Sequence, residues 1–204
     1  MSANETDTVL VLRTCNADLT SYDGFRWPES GPVSAPDWNC APVCGGGLHG
    51  LLWGEGDGSL LNWNPDARWL VVRADKGSVV DLGGKVKFPR GEVMFCGARD
   101  AAAAYIVANG GSGRNIAGAI VTAGNRGTAT AGYGGTATAG DGGTATAGDR
   151  GTATAGDGGT VIIRRWDTAK SRYRVAVSEV GDGALKPKTK YRLNDKHEFE
   201  EVPA

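Results

Sequence analysis

The rhythm of polar and apolar positions changes along this chain. Near the start, VLVLR (9–13), WLVVRA (69–74), VVDL (79–82) and VMFC (93–96) are short, valine-rich apolar runs. Such runs suit strands of a packed sheet, and a strand is predicted at each. Between the first two, residues 14–66 keep no period and read as loop-rich. RDAAAAYIVANGG predicts a helix over 100–109, with Asp100 as N-cap and Asn109-Gly110 as the stop. Farther on, residues 131–160 contain no Leu, Ile, Val, Phe or Trp. From 127 to 158 the chain reads GTATAGYG, GTATAGDG, GTATAGDR, GTATAGDG, preceded by AIVTAGNR and followed by GTVIIRRW. After this array, RYRVAVSEV (172–180), TKYRL (189–193) and HEFEEV (197–202) alternate again and predict strands.

A helix cannot carry the octapeptides, because each interior glycine would cost about 1 kcal/mol relative to alanine. T-A-T-A alternates with period two and suits a strand; A-G-D-G-G tolerates positive φ and suits a corner. Eight residues cannot circle a core and return, but two octapeptides can. Repetition at a short fixed period predicts a two-sheeted β-solenoid of about 16 residues per coil, about three coils in all, stacked at ~4.8 Å. Ala129, Ala131, Ala137, Ala139, Ala145, Ala147, Ala153 and Ala155 are placed inward. Thr128, Thr130, Thr136, Thr138, Thr144, Thr146, Thr152 and Thr154 then form the solenoid's outer face, where β-branched side chains suit a pleated surface. The converse, with threonine hydroxyls bonded in ladders inside, stays open.

The predicted fold is therefore an α+β N-terminal domain over 1–110, a β-solenoid over 111–165, and a small antiparallel β cap over 166–204 that closes its far end.

Composition sharpens this. Glycine is very high, at 33 of 204 residues, and five of the six tryptophans lie in the first 70. A conventional core thus belongs to the N-terminal half. Net charge is −1 with the signs interspersed, which gives no electrostatic case for nucleic acid or an anionic membrane. No apolar run reaches the ~18 residues of a membrane span. The opening MSANETDTVLVLR is polar and acidic before its first apolar run, so a cytoplasmic protein with reduced thiols is expected.

The most unusual stretch is CAPVCGGGLHGLLWGEGDG (40–58). Three readings are open. Cys40, Cys44 and His49, with Cys15 or Cys96 as a fourth ligand, have the chemistry of a zinc site, although their spacing matches no common one. Alternatively, His49 acts as a general base beside the Cys44 thiol, with Lys85, Lys87, Arg90 and Arg99 holding an anion. The reading the pattern favours is structural: a glycine-permitted turn, leucines 48, 51 and 52 in the core, and His49 bonded to a backbone group. Trp38 and Trp63, set among polar turn residues, are candidates to stack on a ligand. In the array, residues sixteen apart share a corner row, which lines up Asn125, Asp141 and Asp157 on one edge, and Tyr133 with Asp149 on the other. Asp141 and Asp157 repel there unless a cation such as calcium intervenes. No cofactor is expected.

Three resemblances follow from these motifs. AGYGGTAT (131–138) resembles the AGYGSTxT octapeptide of bacterial ice-nucleation proteins, which implies a solenoid with threonine-rich faces. From about 12 to 202 the chain is similar to uncharacterised phage and bacterial proteins that join a C-x-x-GLH domain, here Cys44-Gly-Gly-Gly-Leu-His49, to an octapeptide array and an ending like LKPKTKYRLNDKHEFEEV. That likeness implies a fold and a phage connection, in the host cytoplasm or on a virion, and no activity. The GLH segment also resembles the GLH or GIH loops of some ADP-ribosyltransferase-like proteins. The leading expectation is a non-enzymatic binding or structural accessory protein, with the solenoid as platform or assembly edge toward a protein partner or a second copy. An enzyme at the Cys44–His49 loop comes second and ice binding through the threonine rows third. The small-molecule ligand, if one exists, is not legible.

Overall fold

The computed structural model describes residues 7–181 and 184–203. It is mostly β-strand, with one α-helix and three sheets among the described residues. The chain divides into two compact units, 1–112 and 113–204.

In the first unit, β1 (Thr8–Cys15), β2 (Gly31–Ser34), β3 (Leu48–Leu52), β4 (Arg68–Asp75), β5 (Val80–Asp81), β6 (Val86–Phe88) and β7 (Arg90–Gly97) form one sheet in the order β2-β7-β4-β1-β3-β6-β5. Every pairing in it is antiparallel. The valine-rich runs occupy its centre: Val11, Leu12, Leu70, Val71 and Val72 are fully buried, as expected of strands covered on both faces. One face packs Trp27, Leu48, Leu70, Val86, Phe88 and Val93 together. The helix α1 (Arg99–Ile106) packs on β4 and β7 with Ala102, Ala103 and Ile106 buried.

Three expectations for this unit need correction. The helix begins one residue earlier than predicted, with Ala98 and not Asp100 at the N-cap; Asp100 lies in the first turn, where a carboxylate still favours the helix dipole. Its last turn widens to a π-type segment, Val107–Gly111, in which Gly110 turns away with φ +103°. The stretch read as loop contains β2 and β3, so His49 stands on a strand, paired with Lys87 of β6. β3 escapes pattern reading because it has no β-branched residue and follows directly on Gly45, Gly46 and Gly47.

The second unit contains β8 (Ile120–Ala123), β9 (Thr128–Ala131), β10 (Thr136–Ala139), β11 (Thr144–Ala147), β12 (Thr152–Thr154), β13 (Thr160–Asp167), β14 (Arg172–Glu179), β15 (Tyr191–Leu193) and β16 (Phe199–Glu201). Consecutive octapeptides alternate between two sheets, ordered β16-β15-β12-β10-β8 and β14-β13-β11-β9. Within each sheet the repeat strands are parallel, and partners stand sixteen residues apart in sequence. Thr144 lies opposite Thr128 and Ala145 opposite Ala129, while Thr136 lies between Ile120 on one side and Thr152 on the other.

The alanines face inward. All eight named above are buried, and they form one cluster with Val161, Ile163, Tyr191 and Leu193. Each buried methyl contributes only about 0.8 kcal/mol, so the thin alanine layer leans on its backbone pairing and on these larger residues beyond it. The threonines occupy the opposite side of the same strands and are half-buried, except Thr128, which is exposed. The corners are tight. Gly140, Gly148 and Gly156 each approach the preceding corner of the same row so closely that a Cβ would lie 2.5–2.6 Å from its backbone.

The C-terminal strands form no sheet of their own among the described residues, which corrects the expected separate cap. β14 pairs antiparallel along β13 over its whole length, and β15 joins β12 at Ala153–Tyr191, so these strands extend the two existing sheets. The reason is chemical: the outer edges of β12 and β13 still offer unpaired backbone groups, and an appended strand satisfies them.

Candidate functional site

Two places in the molecule gather chemistry. The first is a cleft of about 510 Å3 in the N-terminal unit, lined among others by Arg13, Tyr22, Cys44, His49, Leu60 and Lys85. The β3–β6 pairing builds it. Leu48 and Phe88 point to the core, and the alternate positions, His49 on β3 and Lys87 on β6, share the other face. The Lys85 Nζ donates to the Cys44 Sγ at 3.0 Å. That hydrogen bond, and the ammonium charge with it, hold the exposed Cys44 thiol below the ordinary thiol range. Burial, with Lys85 and Arg13 adding positive charge, pushes His49 below the usual imidazole value, against a smaller opposing pull from its hydrogen bond to the Gly47 backbone. The His49 Nε2 is buried without a hydrogen-bond partner, and so is the Arg13 Nε. Burial draws the Arg13 guanidinium down to about 10, which leaves it charged at neutral pH. It donates to the His49 carbonyl at 2.7 Å and lies 4.5 Å from the Trp27 ring centroid.

The other sequence candidates have different work. Lys87 is fully buried, and its Nζ donates to the carbonyls of Val43 at 2.8 Å and Gly45 at 3.0 Å while facing the Trp38 ring at 5.8 Å. It pins the glycine loop and is not placed to hold an anion in the cleft. Trp63 donates from its indole to the Gly58 carbonyl, packs edge-on against Trp69, and carries Arg99 at 5.8 Å over its ring. Trp63 and Arg99 therefore serve each other. Arg90 lies exposed at the start of β7. Cys15 is buried on β1; burial, then the neighbouring Cys96, pushes its thiol up to about 11. Among the described residues, no three His, Cys, Asp or Glu side chains gather closely enough to hold a metal ion.

Lys87→Met is expected to change global stability by about 1 kcal/mol or less, because an apolar isostere removes a buried charge and the freed carbonyls sit in an exposed loop that water can reach. Amide exchange over residues 40–47 should rise at the same time. A large loss of stability with unchanged loop exchange would show that Lys87 supports the core.

The second place is the pair of threonine faces. On one sheet, Thr128, Thr144 and Thr160 form a row beside Thr130, Thr146 and Ile162. On the other, Thr122, Thr138 and Thr154 form a row beside Ile120, Thr136 and Thr152. Each face thus carries five threonines and one isoleucine. Thr122 and Thr160 escape a reading confined to the perfect repeats, because they lie in the degenerate copies at either end. The Thr152 hydroxyl donates to the Thr136 hydroxyl at 3.2 Å.

At the corners, the Asp157 N–H donates to the Asp141 carboxylate and the Asp141 N–H to the Asn125 side-chain oxygen, both at 3.1 Å. The row expected to repel or take calcium is a hydrogen-bond ladder, in which the Asn125 and Asp141 side chains each accept the backbone N–H sixteen residues on.

Residues 9–105 match a family described as a domain of unknown function (DUF7666). The chain is also similar to ice nucleation proteins. It is 40% identical to one from Xanthomonas campestris pv. translucens over 105 residues, which is 50% of this chain and 7% of that protein. It is 40% identical to ice nucleation protein InaU of Pantoea ananas over 103 residues, 50% of this chain and 10% of that protein. A Pseudomonas syringae ice nucleation protein is 40% identical over 104 residues, 50% of this chain and 9% of that protein. The matched part of the chain spans a tenth or less of the length of these relatives. No solved structure matches it.

Proposed function

We propose that the repeat unit is a short β-solenoid of sixteen residues per coil whose threonine faces order water as ice does. The observation that carries this reading is the register, which lines up Thr128, Thr144 and Thr160 on one sheet and Thr122, Thr138 and Thr154 on the other. Threonines in such a lattice repeat at ~4.8 Å across strands and ~6.6 Å along them. The similarity to ice nucleation proteins supports it.

Five threonines per face make a small template. Each hydroxyl gains little against water, so activity needs copies acting together. The edge strand β14 gives a route to assembly. Val175 and Val177 are 60% and 61% exposed there, and Val177 lies opposite Ile162 of the neighbouring strand. A second copy adding antiparallel to β14 would continue the sheet and widen the face. The phage-associated platform read from the sequence is compatible with this assembly edge.

The test is the freezing temperature of supercooled droplets against protein concentration. The expected result is negligible thermal hysteresis from dilute monomer and a rise in freezing temperature with concentration. Thr138→Glu with Thr146→Glu should abolish the rise, and Val175→Lys with Val177→Lys should weaken it. Droplets that freeze with buffer at every concentration would overturn the proposal.

A further inference from the structure

The cleft beside Cys44 has no part in the threonine faces, yet its chemistry is specific. The Cys44 thiol is exposed and meets an ammonium at 3.0 Å. Arg13 and Lys85 line the cleft, and no carboxylate of the described residues does. Two buried nitrogens of its lining residues, Arg13 Nε and His49 Nε2, have no hydrogen-bond partner in the protein. Two of its lining residues, Tyr22 and Leu60, are large and exposed, at 85% and 54%. A second exposed thiol, Cys40, lies four residues away and does not line the cleft.

We propose that Cys44 is a reactive thiol that captures small anionic disulfides, which the cleft selects through Lys85 and Arg13. The Cys44 thiolate attacks one sulfur of the disulfide. The disulfide's S–S bond breaks, a new S–S bond forms to Cys44, and the departing thiolate takes the electron pair and a proton from water. The incoming disulfide is the oxidant, so no other is needed. Charge explains the selectivity. Before the exchange Lys85 is paired with the thiolate; afterwards the thiolate is gone, and a carboxylate on the captured group takes its place beside the ammonium. A neutral disulfide would leave Lys85 without that partner. Tyr22 and Leu60 cover the apolar part of the captured group.

The experiment uses the reduced full chain with 3,3′-dithiodipropionate as the anionic probe and 2-hydroxyethyl disulfide as the neutral one. Adducts at Cys40 and Cys44 are counted by peptide mass mapping after an acid quench. At pH 7 the anionic probe should modify Cys44 about five-fold faster than Cys40, and the neutral probe should show a smaller ratio. Lys85→Gln should bring Cys44 down toward Cys40 without changing the rate at Cys40. Raising ionic strength on the unmodified sequence should shrink the anionic preference as well, which keeps the test usable if the variant folds poorly. Equal rates at the two cysteines with the anionic probe would overturn the proposal, as would a Cys44 preference indifferent to probe charge and salt.

Discussion

A single methyl group added at Gly148 is expected to lower the melting temperature by roughly 10 °C, taking the upper part of the ~1–3 kcal/mol range for overpacking. Its Cβ would lie 2.6 Å from the Gly132 carbonyl carbon and 2.7 Å from the Tyr133 nitrogen. Both are backbone atoms, and the Gly148 N–H donates to the Ala131 carbonyl at 3.0 Å. The corner cannot retreat without loosening the pairing on either side. Gly148 has no positive φ, so the cost is one of space alone. Gly124 holds the same place in the first, degenerate repeat, and a Cβ there meets nothing within 4 Å. Gly124→Ala should be neutral or slightly stabilising, since it removes freedom from the unfolded chain. Thermal melts of the two variants measure the difference directly. Equal melts would mean that these corners do not stack at sixteen residues.

Ala145→Leu is expected to cost about 1–3 kcal/mol or more. Ala145 is fully buried on β11, between Ala129 and Val161 of the adjoining strands. Ala145 packs in one buried cluster with the alanines of both sheets, Ala129 and Ala131 on its own and Ala137 and Ala153 on the other, so the extra carbons must push the sheets apart. Thr144→Val, one residue earlier and on the other side of the strand, should be nearly neutral because it keeps the branched shape at a half-exposed position. Urea unfolding of both variants gives the comparison, and a larger loss for Thr144→Val would put the hydroxyls, not the methyls, at the centre of the stability.

The inward alanines are legible in the sequence because T-A-T-A has the strand period and only one of its two faces can pack closely. The strands at Val11 and Val71 are legible for a similar reason, since continuous valine-rich runs fit strands buried on both sides. β3 is not, because Leu48-His49-Gly50 carries no strand-favouring residue and pairs through neighbours distant in sequence. Lys87 reads as a surface cation because lysine usually is one. Its role depends on two carbonyls more than forty residues away, and no local pattern encodes that distance. The corner ladder is half legible: the spacing of Asn125, Asp141 and Asp157 aligns them, but the side chains' choice of backbone N–H groups over repulsion needs the geometry.

The alternation of octapeptides between two sheets has a consequence for inheritance. Tandem repeats gain and lose copies by slippage, and here successive copies fall in opposite sheets. Adding or deleting a single octapeptide between β8 and β13 would move β13, and β14 with it, to the sheet that holds β8. Changes of two copies leave that relation intact and alter only the number of strands in each sheet. Variation in copy number among descendants of this sequence should therefore favour even steps wherever the position of the β14 edge matters.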